Sequence, residues 1–250
     1  REREGNSAFQ DLMYLLTLES AARMEQAFGI LSMAEHYRQV ASAIRETIQK
    51  KYWNATRGLF ADTYDHRSFS QHVNSLAILA GIVTGEEAVG VMERTLNDSS
   101  LIQATIYFRY YVHQALKIAG MGDRLLDNLQ IWRDQMRLGL TTWAEMPEPT
   151  RSDCHAWGAS PNIELFRILL GIDSNAPGFK SVRIAPSLGN LKEVSGTMPH
   201  PAGSITVSYK LNRKGKLTAR LVLPENTNGV FVWKGKNYQL KSGEQVLTVE

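Results

Sequence analysis

Hydrophobic positions follow two rhythms along this chain. Up to about residue 171 apolar side chains recur at helical spacing, and beyond it they recur at every second residue. Asn6 or Ser7 stands where a helix cap belongs, ahead of an apolar stretch from about Ala8 to Phe28 that Gly29 stops. Ser32 opens a second helix with Ala34, Tyr37, Val40, Ala41, Ile44 and Ile48 on one face. Glu35, Arg38, Arg45 and Glu46 fall mostly on the other. It runs out in the aromatic-rich loop Tyr52–Phe60, which carries Trp53. The third helix, near Gln71 to Ile82, is almost wholly apolar, so deep burial is expected. Gly81 and Gly85 bracket a turn into an amphipathic fourth helix, Glu86 to Asn97. The fifth, Thr105 to Ala119, is rich in aromatics (Tyr107, Phe108, Tyr110, Tyr111) and ends at Gly120. The sixth runs from Asp123 to Leu138, before Gly139. Pro161 begins the seventh, with Ile163, Leu165, Phe166, Ile168 and Leu169 expected inside.

Seven helices with short connections favour antiparallel pairs. The mostly apolar third and fifth helices are each followed by a more charged one, as concentric rings of helices would require. Asp173–Gly178 reads as a linker. Alternating segments follow at 181–184, 204–209, 217–223, 229–233 and 246–249, with turn signals at Asn212–Gly215 and Lys234–Lys236. That pattern predicts an antiparallel sheet or sandwich. The expected domains are therefore a helical one over residues 1–172 and a β-sandwich over residues 178–250.

With 43% hydrophobic residues, the 250-residue chain can bury a sizeable core. A formal charge of +3 without a basic stripe gives no argument for nucleic acid. The cluster Lys210, Arg213, Lys214 and Lys216 reads as a solvated hairpin tip. A single cysteine, Cys154, excludes an internal disulfide and leaves the compartment open. No apolar run reaches the ~20 residues of a membrane-spanning helix. The opening Arg1–Gly5 is not a targeting segment and has no initiator Met, which suggests an internal start.

Candidate chemistry concentrates in Leu140–Asn162, which carries carboxylates, Arg151, His155, Trp143 and Trp157 in a proline-broken stretch. Carboxylates beside indoles suit a sugar site: acids transfer protons, and flat apolar rings stack on pyranose faces. Each residue also has a plainer reading. A lone loop Glu is usually a solvated charge, and an indole in a helical domain is usually core. Asp153, Cys154 and His155 are adjacent, and no second Cys or nearby His completes a metal set, so neither a metal nor a cofactor is expected. Cys154 is expected to be small buried filling, and Arg151 to pair with Asp153. Gln71 and His72 open an inner-type helix without an assigned role.

Thr141-Thr142-Trp143-Ala144-Glu145 and Ser152-Asp153-Cys154-His155-Ala156-Trp157-Gly158-Ala159-Ser160-Pro161 resemble motifs of the α-L-rhamnosidases of glycoside hydrolase family seventy-eight. Gly178-Phe179-Lys180, Ile184 to Gly189, and Pro199 to Ile205 are similar in register. The resemblance implies a partial (α/α)6 barrel of about seven helices followed by a C-terminal antiparallel β-sandwich. It also implies inverting hydrolysis of a terminal α-L-rhamnose. By the same resemblance Glu145 is the general base, His155 and Trp157 line the sugar pocket, and Trp143 shapes the base's surroundings.

The family's upstream general acid has no match here, and seven helices fall short of twelve. The chain is therefore expected to begin inside a larger enzyme's barrel, to need the missing N-terminal part, and to be inactive alone. Were the acid within it, Asp62, Asp65 and Asp153 would be first in line. Two other readings stay open: another (α/α)6 carbohydrate enzyme, fucosidase-like or a phosphorylase, and a non-catalytic sugar-binding fragment. Cutting a helical ring should expose apolar flanks of the third and fifth helices, which a partner chain or a homo-oligomer would cover.

Overall fold

The computed structural model describes residues 6–250, so the Arg1–Gly5 segment lies outside the described residues. It divides into two compact units, Arg1–Met121 and Gly122–Glu250.

In the first unit, helix α1 (Ala8–Phe28) starts at Ser7, whose hydroxyl accepts from Gln10 N. Asn6 caps a different group, the amide of Tyr64 at 3.1 Å. Helix α2 (Leu31–Tyr52) packs along α1. It begins a residue before Ser32, because the Glu25 carboxylate receives Ile30 N at 2.7 Å and ties the turn itself. The Arg45 guanidinium bonds Glu19 on α1, the Ala80 carbonyl at 2.9 Å and the Gly81 carbonyl at 2.7 Å. One cation thus joins three segments. The aromatic loop is a small hairpin of β1 (Trp53–Asn54) and β2 (Leu59–Phe60), with Trp53 against Phe60.

Helix α3 (Gln71–Leu79) contacts α1, α4 (Gly85–Asn97) and α5 (Arg109–Ile118) and is buried over nearly its whole length. Its buried amides serve neighbouring backbone. Asn74 accepts from Phe60 N at 2.8 Å and donates to the carbonyls of Phe60 (3.0 Å) and Ser70 (2.9 Å). Gln71 accepts from Ala104 N and donates to the Thr95 carbonyl. The helix stops before Ile82 because Gly81, at φ +60°, closes it: Ile82 N reaches the Ala77 carbonyl and Gly81 N reaches that of Ile78. Gly120 ends α5 in the same way.

The apolar surface left open differs in part from the sequence expectation. Apart from its ends, α3 is covered, while α5 carries Ile118 at 57% exposure, and most exposed apolar side chains of this unit lie on α1 and the turn after it. Met24 is 67% exposed, Phe28 92% and Ile30 63%. α1 is apolar around most of its circumference, and α2 covers only part of it.

The second unit opens with single 3-10 turns at Gly122–Arg124 and Leu126–Leu129, and only then helix α6 (Gln130–Arg137). The expected continuous helix is interrupted where the Asn128 side chain donates to the Arg124 carbonyl at 2.8 Å. That is the acceptor its own N–H would need in an α-helix, and the N–H turns to Leu125 instead. After the central stretch, α7 (Pro161–Glu164) gives way to a π turn over Leu165–Leu169. The wider turn advances the register, so Ile163 is 46% exposed while Glu164 is buried, opposite to the expectation for Ile163.

Two four-stranded sheets follow. One has the order β10 (Gly243–Val249), β7 (Leu217–Leu223), β6 (Gly203–Leu211), β5 (Glu193–His200), all antiparallel. The other has β3 (Ile172–Ser174), β4 (Ser181–Ile184), β8 (Asn228–Trp233), β9 (Lys236–Leu240). The linker thus begins as strand, and β4 pairs with β8 in parallel, a departure from the wholly antiparallel expectation. The parallel pair needs Gly229, since a Cβ there would sit 2.3 Å from the Val182 carbonyl oxygen. Ile205, Val207, Tyr209, Leu217, Ala219 and Leu221 of one sheet meet Val182, Ile184 and Phe231 of the other in one core, so the sheets form a sandwich. No helix among the described residues is long and apolar enough to cross a membrane.

Replacing Asn74 by Ala should cost about 2–4 kcal/mol, since it strands buried backbone groups of Phe60. Equilibrium urea unfolding measures this, and a loss below about 1 kcal/mol would contradict the role given to the amide.

Candidate functional site

The stretch from Leu140 to Asn162 has almost no regular structure, yet its backbone is pinned at both ends. Gln135, on α6 and 5% exposed, receives Ala144 N on its side-chain oxygen at 3.0 Å and donates to the Ala144 carbonyl at 3.2 Å. One α-helical turn earlier, the Trp132 indole donates to the Gly158 carbonyl at 2.6 Å. The two side chains stand at i and i+3, on one face of α6. Gly139, at φ +80°, ends that helix and lets the chain turn back.

Between these anchors the stretch folds on itself. Glu145 N donates to the Ser152 carbonyl at 2.9 Å, and His155 N to that of Trp143 at 2.7 Å. The Thr142 hydroxyl donates to the Asp153 carbonyl at 2.7 Å. Backbone pairing therefore sets Trp143 and Glu145 opposite Ser152 and His155. Trp143 and His155 are half-buried, and the Glu145 side chain is 14% exposed. Trp157, on a 3-10 turn at Ala156–Ala159, is 63% exposed. The structure brings Trp143, Glu145 and His155 together in one loop and leaves the face of Trp157 largely open.

Arg151 departs from the sequence expectation. Its guanidinium grips both oxygens of Glu145, with Nε at 2.9 Å from Oε2 and an Nη on Oε1, and it does not pair with Asp153. The fork geometry of guanidinium and carboxylate favours this partner once Glu145 N is tied back to Ser152. Arg151, followed by His155, holds the Glu145 carboxyl below its ordinary 4.5, against a smaller opposing effect of burial. Cys154, expected to be buried, is exposed, because the bonds around it commit the backbone and leave its side chain outside. Glu148 is an exposed loop charge that accepts from Thr150 N. Among the described residues no three His, Cys, Asp or Glu side chains gather in a metal-binding arrangement.

The positioning residues Gln135 and Trp132 carried a signal in the sequence, since a Gln three residues after a Trp on a short amphipathic helix puts an amide on the buried face. The Arg151–Glu145 pair, six residues apart in a loop, carried none.

Two family models cover nearly the whole chain. Residues 1–168 match the bacterial α-L-rhamnosidase six-hairpin glycosidase domain, and residues 171–247 the bacterial α-L-rhamnosidase C-terminal domain. The chain belongs to the bacterial α-L-rhamnosidase family. Solved structures agree. A GH78-family rhamnosidase of Bacillus sp. GL1 superposes with a TM-score of 0.81 at 26% identity, over 90% of this chain and 26% of that one. The α-L-rhamnosidase of Aspergillus terreus gives 0.80 at 18% identity, over 94% and 29%. That of Streptomyces avermitilis, solved with L-rhamnose, gives 0.77 at 17%, over 96% and 26%. This rhamnosidase-family chain thus spans between a quarter and a third of the length of those structures. No curated protein gave a significant sequence match.

Two predictions follow from this geometry. Gln135→Ala should free the Ala144 amide, which then exchanges its hydrogen at least tenfold faster; unchanged protection would show that the loop is held otherwise. Arg151→Gln should raise the pH at which Glu145 titrates, read from its carboxyl carbon by NMR. The sign for stability follows. A folded-state value held below the unfolded one stabilises above about 4.5, and the benefit is lost as pH falls through the folded value. The variant should lose that acid-side dependence.

Proposed function

We propose that this chain supplies the general base of an inverting α-L-rhamnosidase, and that Glu145 is that base. The observation that carries this reading is a mostly buried carboxylate, kept ionised, in a pinned loop that also holds Trp143 and His155. In inversion the base accepts a proton from water while an acid on the other face of the sugar protonates the leaving oxygen. The two carboxyls then stand roughly 6.5–9.5 Å apart. Arg151 takes one lone pair on each Glu145 oxygen and leaves others for water. Being 78% exposed, it is also free to yield its place to a substrate. In this reading His155 binds a sugar hydroxyl, and Trp143 and Trp157 stack on the ring.

The general acid is assigned to chain outside these 250 residues, which the coverage of the related structures supports. We assign residues 1–172 to the catalytic barrel and 178–250 to the C-terminal β-sandwich, which also takes β3 (Ile172–Ser174) from the segment between them; the two family matches meet between 168 and 171.

The test is hydrolysis of an aryl α-L-rhamnoside by this chain alone and by a longer enzyme containing it. Only the longer enzyme should turn over, and its Glu145→Gln variant should lose about 10²–10⁴ in kcat. Because Arg151 keeps Glu145 below 4.5, the acid limb of kcat/KM set by this group should lie below pH 4.5. Near-native turnover by Glu145→Gln would remove the assignment, and turnover by the chain alone would place an acid within it.

A further inference from the structure

A second group of polar side chains lies wholly within the first unit. An open, shallow cleft of about 230 Å³ lies between the start of α1 and the start of α3, with Asp62, Ser70 and His72 on one side and Phe9 and Ile102 on the other. It is smaller than the roughly 300–1,000 Å³ of sites for drug-sized ligands, which limits it to about one sugar ring.

Its polar side is organised. The Asp62 carboxylate receives the hydroxyls of Ser68 and Ser70, each at 2.6 Å, one on each oxygen. Ser70 in turn receives Val73 N, so the carboxylate is fixed to the first turn of α3. His72 lies tilted against the buried ring of Phe108, with centroids 4.3 Å apart, and Phe9 meets the same Phe108 at 5.9 Å. The imidazole is thus placed by ring contact, and its nitrogens make no hydrogen bond among the described residues. Burial lowers its pKa below 6.5 against the pull of Asp62, so at neutral pH it presents one donor and one acceptor. Phe9 and Ile102 give the cleft an apolar edge, above the buried Val73.

We infer that this cleft is a binding subsite for a single neutral sugar ring, with His72 and Asp62 on its hydroxyls and Phe9 and Ile102 against its apolar face. A fixed carboxylate disfavours anions, and a neutral donor–acceptor imidazole beside it matches a pair of neighbouring hydroxyls. The sugar class rests on the reading of the chain as part of an α-L-rhamnosidase; the location does not.

The experiment is an NMR titration of the 250-residue chain with L-rhamnose, following the His72 ring and the Val73 and Ile102 methyls, with methylammonium as a cation control. These signals should move together and saturate at millimolar sugar. His72→Phe keeps a ring on Phe108 but removes the nitrogens, and should weaken binding about tenfold, read on the methyls. The surface change Phe9→Ala should weaken it severalfold and serves if His72→Phe unfolds. No shift with sugar, or an equal response to methylammonium, overturns the inference. Shifts confined to Trp143 and Trp157 overturn it while leaving the assignment of Glu145 intact. Saturable shifts at His72 in a protein whose longer form hydrolyses no rhamnoside would uphold the subsite and sink the enzymatic reading.

Discussion

The double hydrogen bond between the Gln135 side chain and the backbone of Ala144 is the constraint on which the candidate site depends. Ala144 is almost fully buried, so its N–H and C=O must find partners inside the protein. The stretch around it has neither a helix nor a sheet to offer them. A primary amide presents a donor and an acceptor side by side, as a neighbouring strand would, and so substitutes for one at a single residue. With Ala144 fixed, its neighbours Trp143 and Glu145 are fixed too. The folding back of Ser152 and His155 onto them follows from two further backbone bonds.

That rigidity has a chemical consequence. Glu145 is held in a mostly buried place where a lone carboxylate would drift toward the neutral form. Arg151 reverses this by supplying charge and two donors. The exchange favours order over basicity: a carboxyl held below its ordinary value is reliably ionised but a weaker base. In the role proposed for Glu145 an exposed Arg would reconcile the two demands, since its bonds could be exchanged for others without disturbing the core. Trp157 is exposed and borne on the same loop as His155.

Much of the fold was legible in the sequence, for identifiable reasons. The start of α1 at Ser7 and the helix stops at Gly120 and Gly139 are local events, fixed by one side chain or by one positive φ. Strands such as Leu217–Leu223 alternate strictly because one face is buried. What escaped the sequence depends on partners distant along the chain or on side chains displacing backbone. Asn128 breaks a helix that its periodicity supports. The π turn after α7 shifts the face that Ile163 presents. Strand β5 carries Gly196, Pro199 and half-buried residues, and its register is supplied by β6. At the site, the motif marked Glu145, but nothing local announced that Arg151 would choose it over Asp153.

The same device recurs away from the site. Asn74 and Gln71 on α3, like Gln135 on α6, lie buried and spend their amides on the backbone of neighbouring segments: the β1–β2 hairpin, the end of α4, and the loop residue Ala104. A charged side chain would serve poorly there. A carboxylate can only accept and an ammonium can only donate, so each would leave one backbone group unpaired and add a costly buried charge. A hydroxyl can donate and accept, but through a single atom, so it cannot face the N–H and C=O of one residue side by side as an amide does. Short helices joined by long loops need internal surrogates for a neighbouring strand, and Asn and Gln are the side chains that provide both halves of one. This explains how loops that carry the candidate chemistry can be ordered while the helices bearing them stay short.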